Sequence, residues 1–155
     1  MHVIRFIHLI SLVVWVGSII FFSFFVAPSI FKSLPKETAG DVIGVIFPKY
    51  WMVGYICSIV LLVTLIAIAV DAKSLPTLKV GILVVMTALT FYSGLAIGGK
   101  ARTIKAEIRA VEAAEQKEPL MKRFKVLHRR SMILNVVILL LGLFFIYLTS
   151  YSLRF

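Results

Sequence analysis

Four unbroken apolar stretches mark out the chain, at about 3–31, 50–70, 77–99 and 131–151. Each is long enough to cross about 30 Å of hydrocarbon as a helix rising about 1.5 Å per residue. Beyond the third stretch, Ala101, Ile104, Ile108 and Val111 continue an apolar stripe at helical spacing, while Arg102, Lys105, Arg109, Glu112 and Glu115 fill the other faces. The third helix is therefore predicted to run on past the bilayer. Glu118-Pro119 predicts the next turn, with a last helix of roughly 45 Å beginning at Leu120. Helices three and four should project as a charged hairpin over about 100–130. Segment 33–48 reads as a connector in which Thr38 caps a short interfacial helix. The short link 72–76 makes the second and third stretches antiparallel neighbours. The expected fold is all-α, a single transmembrane domain (1–155) built as an integral membrane four-helix bundle.

Two helix faces carry polar groups into this apolar pattern. Phe124, His128, Ser131, Asn135 and Gly142 recur at steps of three, four and seven, which places them on one face of the last helix. His8, Ser11, Trp15, Ser18 and Phe22 do the same on the first. Asn135 falls where hydrocarbon offers no hydrogen-bonding partner, so its amide must meet another helix or water. The face that bears it should look inward, as a polar clasp between helices or as a ligand or transport site.

Composition supports the membrane reading: 61% of the 155 residues are hydrophobic, and the mean hydropathy is +1.03. The net charge of +10 changes the picture only in detail, because the basic residues lie between apolar spans and form no separable nucleic-acid-binding domain. Anionic lipid headgroups are the expected counter-charge, and nucleic acid is not an expected partner. Lys32, Lys36, Lys49 and ten basic residues between positions 100 and 130 share one side, against Arg5, Lys73, Lys79 and Arg154 on the other. The positive-inside rule then puts the hairpin in the cytoplasm and both termini outside. The lone Cys57 permits no intramolecular disulfide. Phe24-Phe-Val-Ala-Pro28 lacks a small-x-small cleavage pattern, so the first stretch is expected to stay as an anchor.

No phosphate-binding loop, nucleophile elbow, His-Glu-x-x-His or pair of intramembrane carboxylates is present, which leaves hydrolysis and nucleotide-driven transport without support. The topology sets His8 and His128 about a bilayer apart, too far to share one haem iron. At the outer end His8, Asp71 and Lys79 come from three helices, with Arg5 one turn from His8. They offer axial or propionate-pairing groups for a haem, with His8, Lys79 and Arg5 as binding residues, or a His8 and Asp71 site for a transition metal. Interfacial pairing of Asp71 with Lys79 is the plainer alternative. At the inner end Met52, Met121 and Met132 could join His128 as soft ligands, although methionines in apolar helices usually fill space.

Several motifs together resemble the transmembrane protein 205-like family: His8 with Trp15-Val-Gly17, Phe24-Phe-Val-Ala-Pro28, Ala39-Gly40, Phe47-Pro-Lys-Tyr50, and Phe124-x-x-Leu-His128-x-x-Ser131-x-x-x-Asn135. The resemblance spans nearly the whole chain and implies a small four-helix membrane protein. More distantly, His8-x6-Trp15-x-Gly17 and Pro76-x-x-Lys79 are similar to the CopD-type copper-resistance proteins and the haem-containing protoporphyrinogen oxidases of bacterial membranes. That likeness makes His8 and Lys79 the counterparts of a functional histidine and lysine. The chain lacks the oxidases' Arg-x-x-Asn-Glu stretch and the histidine after their first span. The combined expectation is a bacterial or archaeal cytoplasmic-membrane protein that binds haem b or a metal ion, to handle it or to pass electrons. The competing expectation is a non-catalytic transporter or assembly partner that uses His128, Ser131 and Asn135, with a homo-oligomer or a membrane complex left open.

Overall fold

The computed structural model describes residues 1–152 and contains four long helices in an up-down-up-down ring. We label them α1 (His2–Ser33), α2 (Lys36–Asp71), α3 (Thr77–Ala110) and α4 (Ala114–Tyr151). All four are long and apolar enough to cross a bilayer, and the protein is an integral membrane protein. Arg154, counted above for orientation, lies outside the described residues. At 32, 36, 34 and 38 residues the helices measure roughly 48–57 Å, so each outruns the hydrocarbon. One end of the bundle gathers the N-terminus, the α2–α3 link and the end of α4; the other gathers the α1–α2 corner and the α3–α4 hairpin. We call these the termini end and the hairpin end.

The projecting hairpin is present, and α1 and α2 accompany its base. The connector expected at 33–48 is instead helix: only Leu34 and Pro35 interrupt the chain, and α2 begins at Lys36. Pro35 takes the capping position, its carbonyl accepting the Ala39 N–H at 2.9 Å, and Thr38 lies inside the helix without a cap bond. Packing explains the difference, because Ala39 and Ile43 are buried and hold this segment helical against its neighbours. The hairpin turn also falls earlier than expected, at 111–113, where Val111 turns extended (φ −94°, ψ 130°). Pro119 lies in the second turn of α4, where it leaves the Glu115 carbonyl without its helical N–H partner.

Two helices widen locally into π-helical turns, at Phe22–Val26 in α1 and Tyr92–Ile97 in α3. The first lies just before Pro28, whose ring crowds the carbonyl four residues back and leaves it without an N–H partner; a wider turn relieves both problems. In the second, a Cβ on Gly94 would fall 1.8 Å from the Tyr55 hydroxyl, so glycine is what lets the α2 aromatics lie against α3. The core runs the length of the bundle through Trp15 and Ile19 of α1, Leu61 of α2, Leu83 and Met86 of α3, and Phe145 of α4. Gly142 keeps α4 close: a Cβ there would meet Val16 at 2.8 Å.

α2 ends in a Schellman arrangement, with Ser74 N–H bonded to the Ala69 carbonyl and Lys73 N–H to that of Val70, both at 3.2 Å. Lys73 supplies the left-handed residue (φ 49°), a conformation that glycine adopts without the Cβ penalty. Lys73→Gly is expected to stabilise the protein by roughly 1 kcal/mol in a detergent-titration unfolding experiment. A neutral or destabilising result would mean that the lysine side chain compensates for its backbone strain.

Candidate functional site

Polar groups meet inside the bundle at two levels. Nearer the hairpin end, the Tyr50 hydroxyl of α2 donates to Asn135 Oδ1 of α4 at 2.5 Å, and Asn135 Nδ2 donates to the Ser23 hydroxyl of α1 at 3.1 Å. Ser23 belongs to the π-helical turn before Pro28, so the widened backbone carries the hydroxyl that completes the link. Asn135 thus ties three helices together, which is the clasp its position demanded. Beside it lies a cavity of about 10 Å³ lined by Trp15, Ser18, Tyr50, Thr90 and Asn135, room for about one water molecule.

The remaining members of that α4 face do not join the clasp. His128 is exposed and stacks on Phe124, with ring centroids 6.3 Å apart and planes 8° from parallel. Seven residues before Asn135, it lies near the same line of the helix, but at a level where most of α4 is exposed. Ser131 is half-buried, while Met52, Met121 and Met132 are exposed and form no cluster with His128. The expected inward array reduces to Asn135 and the close-packed Gly142.

At the termini end His8 is 5% exposed, and its Nδ1 lies 2.8 Å from the Thr64 hydroxyl of α2. The Thr64 hydroxyl also lies 2.7 Å from the Val60 carbonyl and 3.2 Å from that of Leu61, so it links the ring to the backbone of α2. The Phe145 ring of α4 lies 6.0 Å from the imidazole. Lys79 of α3 is close enough for its charge to act on the His8 ring, and it also lines an open groove of about 530 Å³. Pro76, Leu78, Tyr147 and Tyr151 form the rest of the groove that matters chemically: apolar walls, two phenols and an ammonium. The structure therefore places His8 and Lys79 at the same end of the bundle. Arg5 is exposed one turn before His8, and Asp71 is exposed about two turns beyond Thr64 on α2, so neither shares the enclosed surroundings of the ring. Among the described residues no three His, Cys, Asp or Glu side chains are grouped to hold a metal ion.

Residues 10–110 match the profile of a domain of unknown function, DUF4149. The chain belongs to the DUF4149 family. An uncharacterized protein of Aquifex aeolicus (strain VF5) is 46% identical over 48 residues, which are 31% of this chain and 35% of that one. The match thus spans only about a third of that relative's length. No solved structure matches the chain. The DUF4149 segment contains Ser23, Tyr50, Thr64 and Lys79, whereas His8 and all of α4 lie outside it.

Sequence reasoning missed the partners more than the principals. Thr64 is one hydroxyl in an apolar run, and Tyr50 stands beside Lys49 and Trp51 at the start of one. Their spacing of fourteen residues, about four helical turns, is the signal that both face the core. Asn135→Ala and Tyr50→Phe are each expected to destabilise the bundle by about 1–2 kcal/mol. The double variant should lose clearly less than the sum, and additivity within about 0.5 kcal/mol would mean that the two side chains do not interact.

Proposed function

We propose that this protein binds a small carboxylated amphiphile of the porphyrin class in the termini-end groove, with the hairpin lying in the cytoplasm of a bacterium or archaeon. The observation that carries this reading is the groove itself: about 530 Å³, within the size range of small-molecule sites, with apolar walls and a lysine among two tyrosines. An ammonium has three N–H donors, which suits Lys79 to a carboxylate, and the phenols of Tyr147 and Tyr151 can hydrogen-bond as well.

Axial ligation of a haem iron by His8 does not fit. The ring is buried and Phe145 stands beside it, so iron approaching to about 2 Å would have to displace the core. The porphyrin reading therefore rests on the periphery of the macrocycle and not on its metal. A resident transition metal held by His8 and Asp71 fits no better, since one is buried and the other exposed. We read the α4 polar face as structural, because Asn135 is bonded to Tyr50 and Ser23 and the space beside it admits about one water.

Titration of the detergent-purified protein with haem and with metal-free protoporphyrin tests the proposal by absorbance and fluorescence. Both should bind with similar affinity, and Lys79→Glu should weaken both about tenfold or more, as expected for losing a charge-assisted hydrogen bond. His8→Ala should leave the spectrum of bound haem unchanged. Failure of both porphyrins to bind would sink the proposal; haem-only binding that disappears in His8→Ala would replace it with axial ligation.

A further inference from the structure

Charges on the hairpin are sorted by height. α3 has no Asp or Glu before Glu107, and α4 has none after Glu118. The hairpin carboxylates Glu107, Glu112, Glu115 and Glu118 thus all sit toward the tip. Nearer the membrane come Lys100 and Arg102 on α3, and Arg123, Lys125, Arg129 and Arg130 on α4, all exposed. None of these six is ion-paired among the described residues. Of the other hairpin cations, Lys105 and Arg109 reach Asp41 of α2, and Lys122 pairs with Glu118.

The lengths of the uncharged runs fix the level of the base. In α3 residues 80–99 carry no charge, about 30 Å of helix flanked by Lys79 and Lys100; in α4 residues 131–151 carry none, about 31 Å above Arg130. Each run matches the hydrocarbon thickness, so Lys100, Arg129 and Arg130 all lie at the headgroup boundary of the same end of the bundle. Lys125 and Arg129, one turn apart on α4, repel each other, and neither has an ion-pair partner among the described residues. A guanidinium fork matches a phosphate with two parallel hydrogen bonds.

We propose that Lys100, Arg129 and Arg130 form a binding site for the phosphate of an anionic phospholipid at the base of the α3–α4 hairpin. The lipid supplies the counter-charge that the base of the hairpin lacks and holds the hairpin at the membrane surface. This site is independent of the termini-end groove, which lies at the other end of the bundle.

Native mass spectrometry of the purified protein with phosphatidylglycerol or phosphatidylcholine reads the binding directly. Phosphatidylglycerol should be retained preferentially. The double substitution Arg129→Gln and Arg130→Gln should weaken that retention about thirtyfold, each cation near an anionic surface being worth about fivefold. Arg129→Lys with Arg130→Lys should keep most of it, as should Lys117→Gln near the tip, and unchanged circular dichroism confirms that the variants fold. Equal retention of the two lipids, or a preference that survives the double Gln substitution, overturns the proposal. So does complete displacement of the lipid by equimolar inorganic phosphate, which would mark a free-phosphate site, or tighter binding of an oligonucleotide than of the lipid.

Discussion

Inside hydrocarbon a polar side chain has only the protein for a partner, and the bond from Tyr50 through Asn135 to Ser23 is where this bundle answers that constraint. Apolar packing between helices has little driving force in lipid, because the acyl chains are as apolar as leucine. An amide that must be satisfied is different, since it prefers the one arrangement that supplies both an acceptor and a donor. α1, α2 and α4 supply that arrangement together. The π-helical turn before Pro28 then looks less like a defect than like the backbone adjustment accompanying the position of Ser23. Gly142 acts in the same direction, letting α4 approach α1 closely along the same face.

Around this fixed middle the two ends differ in character. The termini end is chemically sparse: His8 is buried against Thr64, and Lys79 lines an open, largely apolar groove. The hairpin end is open and charged, braced by Lys105 against Asp41 at 2.8 Å and against the Gly40 carbonyl at 2.7 Å. Gly40 and Gly44 leave room for that lysine, whose ammonium lies 3.4 Å from where a Gly44 Cβ would stand. The long stem can lie along α2 while the charge reaches the helix edge. Between them, the space beside Asn135 admits about one water.

Hydropathy and charge spacing made the membrane class, the four helices and the projecting hairpin legible from the sequence, because bilayer thickness imposes a length that apolar runs must meet. Asn135 was legible for the same reason, as an amide with nowhere else to go. Helix ends were less so. Pro35 and Pro119 look alike as breakers, yet one ends up as a helix cap and the other within a helix. Tertiary packing of Ala39 and Ile43, which local sequence does not encode, sets where α2 starts. His128 shows the limit of periodicity: a seven-residue step keeps it near the line of Asn135, but spacing does not say at which level along the helix that line is covered. The partners Thr64, Ser23 and Tyr50 were hidden because a long-range hydrogen bond has no sequence spacing, and a π-helical turn shifts the register on which face assignments rely.

Cysteine cross-linking in native membranes tests the three-helix clasp most directly. With Cys57 replaced by Ser, a Ser23→Cys/Asn135→Cys pair replaces two side chains that are hydrogen-bonded at 3.1 Å. It should form an intramolecular disulfide readily on mild oxidation, whereas a Ser23→Cys/His128→Cys pair should not. Absence of the first cross-link, or equal formation of both, would contradict the clasp and the arrangement of helices built on it.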